Sequence, residues 1–369
     1  MLKLGVLGIG AIATVDYGVL PNLHHIKDKV SLVALADPVP GRAAQAAARF
    51  GGDAYDSLTD MLASADIDAV LNLTPIPAHA ATSLEILAAG KHLATEKPLA
   101  TTLEEADAII KAATAQGLKV VCSPPNMLYP SRIEAARLIR SGVIGKVAFA
   151  KVRASHGGPA SMLNWPTDPS WFYKEGSGPL FDVGVYGIHE MLGLLGPALR
   201  VSAFSGITEP TRVVRSGPAA GQEITVTTDD NTLIMLDFGG STFAVVDGTF
   251  NVNAAKGPRL EVFGRAGTLN LPNNLLVNGG RGIDLFRLDA AAGVSGWVDL
   301  DLTHLEPAQQ RVDKLRRALL ADHLADVVAG TAAPVLGADV ARHALEIMLK
   351  AHESARTGRV VDLETTFEA

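Results

Sequence analysis

The stretch Leu4-Gly5-Val6-Leu7-Gly8-Ile9-Gly10-Ala11-Ile12-Ala13 constrains this chain more than any other. It has the form G-x-G-x-x-A, closes an apolar run and opens a helix-forming stretch. Gly8 permits a tight turn, Gly10 lets the backbone approach a pyrophosphate, and Ala13 allows close helix–strand packing. Ala11 and Ile12 stand at the helix start, whose N–H groups suit phosphate oxygens. A glycine pattern alone is weak; a preceding strand, a following helix and a downstream acid make the context it requires. Asp37 supplies the acid, at the end of a second apolar run, Ala34-Leu35-Ala36-Asp37-Pro38. A carboxylate there holds ribose hydroxyls and repels a 2′-phosphate. NAD is the expected cofactor, in preference to NADP.

The residues around this motif extend the pattern. Strands are expected at Lys3–Gly8, Ser31–Ala36, Ile67–Leu73, Lys91–Thr95 and Leu118–Cys122. Helices are expected at Ala11–Leu23, Arg42–Phe50, Ser57–Ala63, Ala78–Ala89 and Leu103–Gln116. Such alternation implies βαβ units and a parallel sheet covered on both faces. After Ser123-Pro124-Pro125 the pattern changes. A helix at Ser131–Arg140 precedes strand-like runs at Val147–Ala154, Arg200–Gly206, Thr225–Thr228, Thr232–Phe238, Thr242–Asp247 and Arg259–Phe263. Gly-, Asn- and Asp-rich turns separate them, as in a mainly antiparallel sheet. One helix, Asp182–Leu195, interrupts the sheet, and helices at Ala308–Val328 and Ala338–Ala355 close the chain. The fold class expected is α/β: a doubly wound Rossmann domain over residues 1–123, then a second domain of helices and a mainly antiparallel sheet over 124–369.

Composition narrows the function classes. The 369 residues are 48% hydrophobic, which sets the chain apart from disordered polymers. The net charge of −7 argues against a nucleic-acid partner. The lone Cys122 rules out an internal disulfide and is expected to be a small core residue. The histidines show no metal-ligand spacing, and no metal is expected. No apolar run is long enough to span a bilayer, so no membrane partner is expected. Met1–Ala13 has the outline of a short signal peptide, but the strand and glycine turn account for the same residues, and a cytoplasmic location is expected.

Open α/β sheets bind ligands beyond the carboxyl ends of their strands. Two more strand ends carry polar residues. In Leu73-Thr74-Pro75-Ile76-Pro77-Ala78-His79, Thr74 can offer a hydroxyl to a cofactor, or the prolines can simply shape a helix entry. His79 can reach the site or pack against the helix. In Thr95-Glu96-Lys97-Pro98, a charged pair ending a buried strand needs partners. In the second region, Asp182, Tyr186 and His189 fall at i, i+4 and i+7 and share a helix face. Gly184 and Gly187 weaken that helix, which implies close approach by backbone or ligand. Upstream, Ser155-His156-Gly157-Gly158 and the segment from Asn164-Trp165 to Trp171-Phe172-Tyr173 supply aromatic and polar groups. His156 and Trp171 suit a sugar, although Trp165 and Trp171 can equally cover the core. Asn126 follows the region boundary and is a candidate contact for cofactor or substrate.

Taken together, Gly8 to Ala13, Asp37, Thr74-Pro75 with His79, Glu96-Lys97-Pro98 and the Asp182 helix resemble the Gfo/Idh/MocA oxidoreductases over nearly the whole chain. The resemblance implies a Rossmann domain followed by an α/β domain. It places Lys97 at the substrate and the nicotinamide ribose, and implies a cis peptide before Pro98. It implies a secondary alcohol or carbonyl of a sugar, inositol or related polyol as substrate, and a homodimer or homotetramer built on the open sheet. The family's usual Asp-x-Gly-x-His-x-x-Asp is altered here: Tyr186 replaces the histidine and His189 the second aspartate. Glucose–fructose oxidoreductase and dimeric dihydrodiol dehydrogenase are similar in having tyrosine there. Lys97 can supply a cation that favours phenolate, and Asp182 can hold Lys97 or a substrate hydroxyl. Tyr186 is the favoured acid/base and His189 the alternative. The family also admits an NAD-dependent glycoside hydrolase that oxidises transiently, and a non-catalytic sugar- or NAD-sensing regulator.

Overall fold

Five short, mostly apolar and buried strands and a three-residue edge strand pair in parallel in one sheet. The computed structural model describes residues 1–163, 165–271 and 282–368. Asn164 lies outside the described residues. The strands are β1 (Leu2–Leu7), β2 (Val30–Ala36), β3 (Asp53–Tyr55), β4 (Ala69–Asn72), β5 (His92–Thr95) and β6 (Val120–Cys122). Their order is β3-β2-β1-β4-β5-β6, the doubly wound arrangement. Leu4, Val6, Ala34, Leu35, Val70, Leu71, Leu93 and Ala94 are fully buried. The covering helices are α1 (Ala11–Thr14), α2 (Arg42–Phe50), α3 (Leu58–Ser64), α4 (His79–Ala88) and α5 (Leu103–Ala115). Thr102 caps α5, and Glu105 closes the capping box.

The helix expected over Ala11–Leu23 is a single α turn followed by a 3-10 segment at Leu20–Ile26. Gly18 and Pro21 explain the break. A β-carbon on Gly18 would lie 2.6 Å from the Ile12 carbonyl oxygen, so the chain folds back on itself there. Cys122 is buried as expected, and its thiol is pushed up by burial.

By contact the chain forms two compact units, Met1–Pro125 with Pro307–Leu345, and Asn126–Glu306 with Glu346–Ala369. The second region therefore does not run unbroken from 124 to 369. The helix Leu319–Val328 packs on β5 and β6, and Lys29 pairs with its Asp322 and Asp326 at 3.1 and 2.7 Å. The single helix expected over Ala308–Val328 is broken into Glu306–Leu315 and Leu319–Val328 by a 3-10 turn at Arg316–Ala318, where Arg316 has a φ of +49°, outside the right-handed helical region.

The second unit contains α6 (Pro130–Arg140) and a sheet that has nine strands among the described residues. They include β7 (Val147–Arg153), β8 (Arg200–Gly206), β11 (Asn231–Asp237), β12 (Phe243–Thr249), β13 (Leu260–Gly264), β14 (Gly267–Leu271), β15 (Asp284–Ala291), β16 (Val294–Val298) and β17 (Val361–Asp362). All pairings are antiparallel except β12 with β7. Between β8 and β11 the chain forms a small hairpin, β9 (Thr211–Val213) with β10 (Glu223–Thr225). Its Val214, Ile224 and Val226 pack with Phe172, Tyr173 and Phe250 in a separate aromatic cluster.

A π-helical turn, Leu180–Gly184, runs into α7 (Val185–Leu195) on the inner face of this sheet. The glycines here serve packing on the sheet. A β-carbon on Gly187 would lie 2.8 Å from Ala154 Cβ and 3.0 Å from Val152 and Val246, and one on Gly184 would meet Leu180 at 2.8 Å. Gly187→Ala, which raises helix propensity by about 1 kcal/mol, is nevertheless expected to lower stability by about 1–2 kcal/mol through overpacking. Urea denaturation checks it, and a stabilised variant would refute the close approach.

Candidate active site

The first unit gathers its polar residues at the carboxyl ends of β1, β2, β4 and β5. Gly8 has φ +87°, and a β-carbon on it would lie 2.7 Å from the Leu73 carbonyl oxygen. Only glycine fits both constraints. Gly10 is exposed, and its absent β-carbon has nothing within 4 Å. That open cradle, beside Ala11 and Ile12 at the start of α1, fits the close approach of a pyrophosphate. The helix-end contribution is that of one turn, since α1 is short.

Asp37 is buried and has partners on both oxygens. Oδ2 accepts the Ile9 N–H at 2.8 Å, and Oδ1 accepts the Val39 N–H at 2.9 Å. The carboxylate thus pins the glycine turn to the end of β2. Arg42, which the sequence reading did not single out, reaches both oxygens at 3.3 Å. It follows Asp37 by five residues on α2, a spacing with no signature of its own.

Thr74 is partly exposed and Pro75 exposed beyond β4. Thr74 Oγ1 donates to Asn72 Oδ1 at 2.7 Å. His79 is buried, with Nδ1 2.7 Å from the Pro98 carbonyl oxygen and Nε2 2.8 Å from that of Thr74. After β5, the Lys97–Pro98 peptide is cis, and so is Ser123–Pro124. Glu96 Oε1 accepts the Ser123 hydroxyl at 3.3 Å, and its Oε2 accepts the Lys97 N–H at 3.2 Å. Arg317 lies 3.8 Å from Glu96 and comes from the returning 307–345 segment. Nothing local in the sequence announces that partner. Lys97 itself is half-buried.

In the second unit, Asp182 lies in the π turn and Tyr186 in the first turn of α7, both partly exposed. Asn126 is buried, and its Nδ2 donates to the Tyr186 carbonyl oxygen at 2.8 Å. His189 is buried and burial pushes its ring down to about 4, so it is neutral near pH 7. Next to it, the fully buried Glu190 binds Arg132 of α6 at 2.9 Å and Arg259 at 2.5 Å. Nothing in the sequence marks this triad, because a helical glutamate and two distant arginines carry no common signal. His156 stacks on Phe250 at 5.3 Å, and its Nδ1 accepts the Gly158 N–H, which leaves hydrogen on Nε2 in the neutral ring. Trp171 is half exposed against Phe172, while Trp165 packs onto the aromatic cluster. Among the described residues no cluster has the make-up of a metal site, and no helix is long and apolar enough to cross a membrane.

Two family models cover most of the chain. Residues 2–123 match the oxidoreductase family with an NAD-binding Rossmann fold, and residues 133–270 match the GFO/IDH/MocA C-terminal domain. The inositol 2-dehydrogenase/D-chiro-inositol 3-dehydrogenase of Lacticaseibacillus casei is 30% identical over 279 residues, 74% of this chain and 73% of that one. The chain belongs to the Gfo/Idh/MocA oxidoreductase family. The levoglucosan dehydrogenase of Pseudarthrobacter phenanthrenivorans is 27% identical over 275 residues, 68% of each chain. A solved levoglucosan dehydrogenase, complexed with NADH and L-sorbose, superposes with a TM-score of 0.83 at 22% identity over 99% of both chains, a likeness of fold. This Gfo/Idh/MocA member is thus an enzyme, an oxidoreductase with NAD as its cofactor.

Burial of His189 sets a pH dependence. Below about pH 6.5 the unfolded chain protonates this ring, while the folded chain resists until about 4. The unfolded state then binds more protons, so stability falls as pH drops through that window, by about 3 kcal/mol at full extent. His189→Leu is expected to flatten this slope in urea denaturation at pH 7 and pH 4.5. An unchanged slope would show that the ring is not held neutral.

Proposed function

We propose that this enzyme transfers hydride between NAD and the secondary alcohol or carbonyl carbon of a sugar, inositol or related polyol. The dehydrogenases it is related to support the substrate class. The residue assignment rests on one observation: from Val183 to Glu190, only Tyr186 keeps partial exposure. NAD, when bound, supplies the hydride acceptor. Tyr186 Oη takes the hydroxyl proton in oxidation and returns it in reduction. Lys97 contacts the nicotinamide ribose and the reacting oxygen of the substrate in this reading. Asp182 holds a substrate hydroxyl. His189, neutral and buried, belongs to packing. His156 and Trp171 contact the sugar, the exposed indole offering an apolar face to the ring. Gly8, Gly10, Ala11 and Ile12 receive the pyrophosphate, and Asp37 the adenosine ribose. Thr74, Pro75, Glu96 and Asn126 complete the cofactor set.

The reading extends to a second copy of the chain on the outer face of the large sheet. Phe204, Leu233, Met235, Phe243 and Phe149 are exposed there, Phe204 to 84%. The strand register puts them on one face: Leu233 lies opposite Phe204, Met235 opposite Val245, and Phe243 opposite Phe149. Soluble monomers rarely leave so continuous an apolar patch in water.

An absorbance screen for NADH over sugars and inositols, with NAD and NADP in parallel, identifies the substrate. With that substrate, Tyr186→Phe is expected to lower kcat about 100-fold or more while leaving NADH affinity within about twofold. Turnover close to wild type would remove Tyr186 from the proton path, and glycoside cleavage without net NADH would point to the transient-oxidation hydrolase. For the assembly, light scattering is expected to give at least twice the 38.5 kDa chain mass, and Leu233→Glu to return it to one chain. A wild-type monomer would contradict the paired-sheet reading.

A further inference from the structure

The geometry points to His79 as a positioning residue that sets Lys97 by buckling the loop after β5 to the loop after β4. The inference rests on the reading that Lys97 serves the nicotinamide end of the cofactor. His79 opens α4, and its side chain has almost no contact with solvent. Its two ring nitrogens lie 2.7 and 2.8 Å from the carbonyl oxygens of Pro98 and Thr74. Both partners are acceptors, so the hydrogen in each contact comes from the ring. A neutral imidazole donates to one carbonyl and a doubly protonated ring to both. With hydrogen on both nitrogens the flat ring is a spacer of fixed length between two main chains; with hydrogen on one, it ties only that side.

Each end of the spacer joins a functional segment. Pro98 follows Lys97 directly, so the carbonyl held is one residue from the lysine. At the other end the Thr74 segment is fixed in turn. Leu73 N–H donates to the Leu7 carbonyl at 2.8 Å, and the vacant β-carbon position of Gly8 lies 3.0 Å from Thr74 N. Thr74 Oγ1 donates to Asn72, whose Nδ2 donates to Thr82 Oγ1 at 2.8 Å and Ser83 Oγ at 3.2 Å on α4. A continuous run of contacts within the first unit therefore leads from the glycine turn through Thr74 and His79 to Pro98 and Lys97. The buried ring offers no face to the cofactor; it sets the distance between the pyrophosphate end and the lysine.

The test compares NADH and ADP affinities of the full chain by fluorescence and calorimetric titration. ADP takes up the adenosine and phosphate end alone. His79→Ala is expected to weaken NADH about five- to tenfold and to leave ADP within about twofold. His79→Gln, which keeps an N–H donor, falls between wild type and His79→Ala. Two changes on one path are not additive, so His79→Ala with Lys97→Ala is expected to bind NADH no more weakly than Lys97→Ala alone. The inference is overturned if His79→Ala leaves NADH affinity intact, if ADP weakens in proportion, or if the two losses multiply in the double variant. If Lys97→Ala itself leaves NADH affinity unchanged, the reading of Lys97 fails first and this inference with it.

Discussion

An absent β-carbon governs each unit. In the first, Gly8 turns against the Leu73 carbonyl, bringing β1 and β4 close enough to end side by side. In the second, Gly187 lays α7 against Ala154, Val152 and Val246. Both contacts are at distances that a methyl group would violate, and both fix a main-chain position with no freedom to adjust. Protein interiors transmit such constraints because they are packed at crystal-like density. The polar residues then have little choice: Asp37 meets the glycine turn, and Tyr186 takes the partly exposed place in the first turn of α7.

Buried charge is the second organising theme. Glu190 has two guanidinium partners, and Asp230 is paired with Arg212 at 2.6 Å under the small hairpin. Removing such groups from water is costly, and their mutual attraction compensates only when the geometry is good. Their value here is in specifying geometry. The Glu190 carboxylate ties α7 to α6 and to the start of β13, so the helix bearing Tyr186 is held by directional bonds as well as by packing. The Arg212 pair does the same for the hairpin beside Tyr173 and Phe250.

Much of the fold was legible because its signals are local. The glycine turn, Asp37 and the alternation of apolar strands with amphipathic helices each fit within a short window. So did α5, read as Leu103–Gln116 and found as Leu103–Ala115 with its capping box. What escaped depends on distant residues or on very short elements. The edge strand β3 has three residues, mostly exposed, and no periodicity to detect. The helix after the glycine turn was overextended because Gly18 is pinned by contacts that propensity does not describe. The Asp182 helix, expected as one α-helix, begins with a π turn in which Gly184 lies against Leu180 and Gly248, contacts that no local pattern announces. The site residues of the strand ends were named from their positions, but their partners were not. Arg42, Arg317, and the two carbonyls on His79 belong to segments whose meeting is decided by the tertiary fold.

The return of Pro307–Leu345 to the first unit has a consequence for how the chain is made. Cys122 N–H donates to the Leu336 carbonyl at 2.9 Å, and Lys29 pairs with Asp322 and Asp326. During synthesis from the N-terminus, the strands of the nucleotide domain emerge long before the helix that covers β5 and β6. That face stays without its cover until β7 to β16 of the second unit have been made. Contacts this far apart in sequence form late and slow folding. The nascent intermediate exposes apolar surface in the meantime, the condition in which chaperones act. The chain is made in order, but its first unit is completed only by a segment that follows most of the second.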